Sequence, residues 1–188
     1  MSSRSETFRR VQESHATLAG RMDEVSGLFY ERLFEKHPVV RALFPTDMSK
    51  MLKHFAVGLS LICRNLQNFD ALERPLMELG AQHAGFGARP EHYPIVCAIL
   101  VESLRETSER VGLAWDPRLE LDWTTVLDEV AQRMLKGAAM VVDDAPPAVV
   151  VASRSFGPRR SEGPGTSLRR AWGPGGSASE SGNSGSAV

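Results

Sequence analysis

Two cysteines in 188 residues are too few for a disulfide framework. Cys63 and Cys97 each fall within an apolar helical pattern and read as reduced, buried thiols. Long apolar runs are lacking as well: none approaches the ~20 residues that cross a bilayer, so no membrane span is expected. The N-terminus, Met1-Ser2-Ser3-Arg4-Ser5-Glu6, is polar and opens no stretch of signal length, which points to a cytoplasmic protein. Charge of one sign does not dominate. A formal net charge of −1, with no basic stripe in the periodic part of the chain, argues against a nucleic-acid partner. Strict two-residue alternation is absent, as are Asn-Gly and Asp-Gly pairs, and a hairpin-built sheet is excluded with them. No phosphate-cradling glycine loop, zinc-spaced cysteine pair or Ser/His/Asp context appears.

What is present is helical periodicity, up to about Val142. The stripes predict helices over about 5–18 (Phe8, Val11, His15), 22–35 (Val25, Phe29, Leu33, beside a second line of Ser26, Tyr30 and Phe34) and 48–66. Further stripes predict one helix ending at His83, one opened by Pro90, and a last one over about 117–140. His37-Pro38 ends the second helix, a short turn covers 38–43, and Asp47 or Thr46 is placed to cap the third. Gly85 and Gly87 are expected to terminate the His83 helix. His15, His37 and His92 read as surface or capping residues. The expected fold is all-α, with residues 1–142 as one domain large enough for a core and one internal ligand cavity.

After Asp143-Asp144-Ala145-Pro146-Pro147 the composition turns to Ser, Gly, Pro, Ala and Arg. Five arginines stand there against Glu162 and Glu180, and Val149–Val151 and Trp172 are the adhesive features. Such a segment buries too little to offset its ordering entropy, so 143–188 is expected to be a disordered tail.

One histidine concentrates the chemistry. Leu72, Leu76, Leu79 and His83 recur at four- and three-residue steps, placing the imidazole in line with an apolar stripe beside a glycine-rich helix exit. A histidine there either satisfies itself with a core hydrogen bond or binds a metal.

Four stretches bear on that choice: Phe29-Tyr30-Glu31-Arg32-Leu33-Phe34-Glu35-Lys36-His37-Pro38; Leu43-Phe44-Pro45-Thr46-Asp47-Met48; Leu79-Gly80-Ala81-Gln82-His83 through Pro90-Glu91-His92-Tyr93-Pro94; and Trp123. In this order and spacing the chain resembles the globins, most of all the single-domain bacterial haemoglobins and the haem domain of flavohaemoglobins. The resemblance covers roughly Ser5 to Met140 and implies a globin fold of six to eight helices around haem b. His83 matches the proximal iron ligand, its other ring nitrogen donating to a backbone carbonyl or water. Phe44 matches the phenylalanine packed on the macrocycle. Tyr30 matches the distal tyrosine that hydrogen-bonds a bound gas, and Tyr93 a tyrosine that orients the ligand histidine. Met51, Phe55, Leu79 and Val96 are expected to complete an apolar cavity.

The departures shape the expected function. Counted back from His83, the family's distal glutamine falls on Met51 and the leucine one turn later on Phe55, leaving Tyr30 as the strong donor. Met51 is also a conceivable sixth ligand, and His54 lies one helical step off the distal line. The last-helix glutamate that in flavohaemoglobins pairs with the proximal histidine falls, counted from Trp123, on Met140. Flavin- and nicotinamide-binding domains are not expected in this chain, so a separate reductase would keep the iron ferrous. The first expectation is reversible binding of oxygen or another diatomic gas, as in an oxygen carrier, by a monomer or homodimer. Nitric oxide dioxygenation with that reductase is the enzymatic alternative. A gas sensor signalling through the tail and a helical adaptor without haem are the others.

Overall fold

The structure is a computed structural model and describes residues 3–143. The expected tail lies outside these residues, apart from Asp143 at the end of the last helix. Six α-helices and no strands occur among the described residues: α1 (Arg4–Leu18), α2 (Met22–Lys36), α3 (Ser49–Arg64), α4 (Glu73–Gly85), α5 (His92–Arg110) and α6 (Pro117–Asp143). Short 3₁₀ turns at Ala19–Arg21, Pro38–Leu43 and Leu66–Leu72 connect them. No described helix is long and apolar enough to cross a membrane.

Local chemistry accounts for the helix ends. The Ser3 hydroxyl accepts from the Glu6 amide at 3.3 Å and caps α1. Asp47 accepts from the Ser49 amide at 2.9 Å, holding the entrance to α3 from two residues upstream. Of the two glycines after His83, only Gly87 has a left-handed backbone (φ 92°); Gly85 is still helical. Pro90 does not open α5. It sits in a turn with Glu91, and the helix begins at His92, whose Nδ1 accepts from the Arg89 amide at 3.1 Å.

Burial follows the predicted stripes. Phe8, Val11, Leu18, Val25, Phe29, Leu33, Leu59, Leu66, Leu104, Trp123 and Val126 lie in one core. α4 packs along α6, α2 against α3 and α5, and α1 across α6. Cys63 is a buried free thiol, whereas Cys97 is only half-buried.

His15 corrects the sequence reading. It is 4% exposed and shares a hydrogen bond with Ser60 (Nε2 to Oγ, 3.1 Å), joining α1 to α3. It does belong to the inward line of Phe8 and Val11 on which the helical period places it. Burial, aided by the Arg64 charge, lowers its pKa from 6.5. The unfolded chain therefore takes up a proton near pH 6.5 that the native state refuses. Stability from this site is complete above that pH and is lost as pH falls toward the lowered native value. Thermal unfolding across pH 8 to 5 should show a smaller acid-side loss for His15→Gln than for the wild type, the glutamine amide replacing the bond to Ser60. Equal slopes would remove His15 as a source of acid sensitivity.

Candidate functional site

Tyr30 is 6% exposed and sits inside an aromatic cluster built at helical spacing. Phe29, Phe34, Phe44 and Phe55 surround its ring at centroid distances of 4.9, 5.8, 5.5 and 5.6 Å. Phe55 stacks on Phe29 at 4.6 Å with the planes 4° apart. Burial raises the Tyr30 pKa well above its usual value, so the phenol stays protonated and can donate. Its hydroxyl is not among the sealed polar atoms that lack a partner. It hydrogen-bonds no described residue, so the oxygen retains an accessible patch.

Phe44 follows the 38–43 turn. Arg41, which sequence reasoning missed, holds this corner: its guanidinium donates to the carbonyls of Phe44, Pro45 and Thr46 at 3.0, 2.9 and 3.2 Å. The same group lies 5.0 Å over the Phe34 ring. A visible signal was the arginine three residues before an aromatic-proline pair, but only the folded turn reveals three carbonyls converging on it.

His83 is accessible to solvent although it shares a stripe with buried Leu76. Its Nδ1 lies 2.8 Å from the Leu79 carbonyl. A carbonyl can only accept, so Nδ1 carries the proton and Nε2 presents a free lone pair. Surrounding protein lowers the pKa from 6.5, partly opposed by that hydrogen bond, and keeps the imidazole neutral. The ring is thus reachable by solvent yet partly desolvated by the protein around it.

Met51, Phe55, Leu79, Tyr93 and Val96 are all half-buried and pack with Phe44 on the same core that contains Tyr30. The Tyr93 hydroxyl is sealed from solvent without a hydrogen-bond partner, and burial raises its pKa. His54 is partly exposed on α3. No group of three or more His, Cys, Asp or Glu side chains suited to a metal ion occurs among the described residues. A neutral imidazole with a free nitrogen and a protonated phenol among aromatic rings are donor types that a metal-bearing cofactor can use.

Met140 needs correction. It is 62% exposed and lines a groove with Asp70, Glu73 and Met77. α4 and α6 run antiparallel, Gly80 lying on Met134 and Gly137 on Met77. Continuing that register puts buried Val130 and Ala131 level with His83. Counting from Trp123 overshot because sequence spacing does not show where two helices cross. The side chains at that level are apolar, so a carboxylate partner for His83 is missing there too.

A family model for globins matches residues 27–134. This chain belongs to the globin family. Membership implies a haem cofactor, and the residues above have the donor set it requires. The globin is 25% identical over 114 residues to a globin-like protein of Aquifex aeolicus, covering 59% of this chain and 82% of that one. It is 23% identical over 134 residues to a flavohemoprotein of Bacillus subtilis. That match covers 70% of this chain but only 33% of the flavohemoprotein. Among solved structures, a bacterial globin from Campylobacter jejuni superposes with a TM-score of 0.66 at 18% identity, over 74% of this chain and 99% of its own. That likeness shows the all-α globin fold.

Proposed function

We propose that this globin holds haem b through His83 and reversibly binds oxygen or another diatomic gas. The observation that carries the reading is the His83 imidazole: neutral, fixed through Nδ1 by the Leu79 carbonyl, and left with a free lone pair at Nε2. A ferrous haem, when bound, supplies the coordination position at which such a gas is taken up and released.

The chain's own residues do the rest. His83 offers a single nitrogen at a fixed angle, because its acceptor sits one turn back on the same helix. Phe44 would pack against the cofactor, and Met51, Phe55, Leu79 and Val96, half-buried on the same core, would exclude water from it. Tyr30 holds its proton on Oη and would donate it to a bound ligand. The Nδ1 partner is an uncharged carbonyl, and the Tyr93 hydroxyl meets no carboxylate either. A neutral acceptor gives a less electron-donating imidazole than a carboxylate would, which favours binding over oxidative turnover. A separate reductase would return oxidised protein to the ferrous state.

The test is the oxygen dissociation rate of reduced, haem-loaded protein. One hydrogen bond to a polarised ligand is worth about 1.5–3 kcal/mol, so Tyr30→Phe should release oxygen roughly 10- to 100-fold faster. An unchanged rate would mean that the hydroxyl does not reach the ligand. A wild-type protein that binds haem but neither oxygen nor carbon monoxide would sink the proposed function.

A further inference from the structure

α4 approaches α6 more closely than side chains allow. A methyl group on Gly80 would overlap the backbone carbonyl of Met134, and one on Gly137 would overlap that of Met77. The contacts are reciprocal: each helix sets a glycine against the other's backbone, one turn along. Neither obstacle is a side chain able to swing aside. Helical glycines elsewhere, such as Gly27 and Gly58, have open space where a methyl would go. Glycine weakens a helix interior, so two in register at one crossing need a packing reason.

That reason lies in what α4 carries. Of its 13 residues only Leu76 and Gly80 are buried. The helix is seated by Leu76, by half-buried Leu79 and by this crossing. His83 follows Gly80 by three residues, about 4.5 Å along the axis. The connection is closer than that distance suggests, because the Leu79 carbonyl that accepts from His83 Nδ1 belongs to the peptide unit joining Leu79 to Gly80. Whatever displaces Gly80 also displaces the group that orients the ring.

We propose that Gly80 and Gly137 are positioning residues, a spacer-free seat that sets the depth and angle at which His83 meets the cofactor. The proposal rests on His83 being the haem ligand. Gly80→Ala would push α4 off α6 and carry the imidazole with it. Gly137→Ala would do the same from a position that touches neither His83 nor its acceptor.

The experiment uses the full chain loaded with haem. Its readouts are the iron–histidine stretching band of the ferrous protein in resonance Raman spectra and the rate of haem transfer to an excess haem acceptor. Both alanine variants should shift the band in the same direction and lose haem about 10-fold faster or more, the usual scale for disturbing a ligand's support. Gly58→Ala should leave both readouts unchanged. Met134→Ala trims a buried side chain at the same crossing but leaves its carbonyl in place; it should lower Tm without moving the band. Folded, haem-loaded Gly80→Ala and Gly137→Ala proteins with the wild-type band would overturn the proposal. So would failure of both to fold even with haem supplied, which would assign the crossing a structural role alone. A wild-type protein with no iron–histidine band would instead defeat the ligand assignment of His83.

Discussion

His83→Ala, expressed with haem precursors supplied, should come out without the intense absorption band of the wild type. The expectation is a loss of haem affinity well beyond the ~10- to 100-fold that accompanies removal of a ligand's supporting partner, because here the ligand itself is gone. Three of the other four histidines are poorly placed to substitute. His15 is buried between α1 and α3 against Ser60, His92 accepts from the Arg89 amide, and His37 ends α2. The variant should still fold, since His83 is accessible and, among the described residues, its side chain bonds only to its own helix. Circular dichroism tests that, and imidazole added to the buffer should return part of the band by occupying the vacated position. A His83→Ala protein with an unaltered spectrum would move the ligand elsewhere, with Met51 and His54 on α3 the first places to look.

Much of this arrangement was legible before any coordinates. Val25, Phe29 and Leu33 read as one inward stripe with Tyr30 on a line beside it, and all four are buried. Local hydrogen bonding was legible too: Leu79 stands four residues before His83, where a helical side chain reaches its carbonyl. What escaped the sequence depends on pairs distant along the chain. His15 has the same polar appearance buried or exposed, and only the arrival of Ser60 on α3 decides between them. Met140 was mistaken for a neighbour of His83 because the crossing level of α4 and α6 is set by Gly80 and Gly137, which look like ordinary helix glycines in the sequence. Periodicity shows which face of a helix turns inward but not how far two inward faces slide past one another.

The same limit hid Asp122, whose substitution should cause a large loss of stability. Its side chain is 2% exposed yet carries a carboxylate. Thr7 donates to Oδ1 at 2.8 Å and Arg10 Nε to Oδ2 at 2.7 Å, tying α1 to α6. Arg118 Nε lies 3.3 Å from Oδ1 without hydrogen-bond alignment. Next along the chain, the Trp123 indole donates to Ser14 Oγ at 3.0 Å and extends the seam. Removing one member of a buried pair commonly costs about 3–5 kcal/mol, because the partner remains uncompensated. Arg10 and Arg118 can turn toward water, being 27% and 36% exposed, so Asp122→Ala should fall near the lower end, at about 3 kcal/mol. At the few degrees per kcal/mol typical of domains this size, Tm should drop by roughly 10 °C. Asp122→Asn keeps an acceptor for Thr7 and should lose only about half as much. The Arg10→Ala, Asp122→Ala double variant should be no less stable than Asp122→Ala alone, because the arginine left unpaired is then gone. The haem absorption band should stay in place throughout at temperatures below unfolding, since this seam lies on α1 and the first turns of α6, away from His83. A shift of less than about 3 °C for Asp122→Ala would show that the carboxylate is not what locks α1 onto α6.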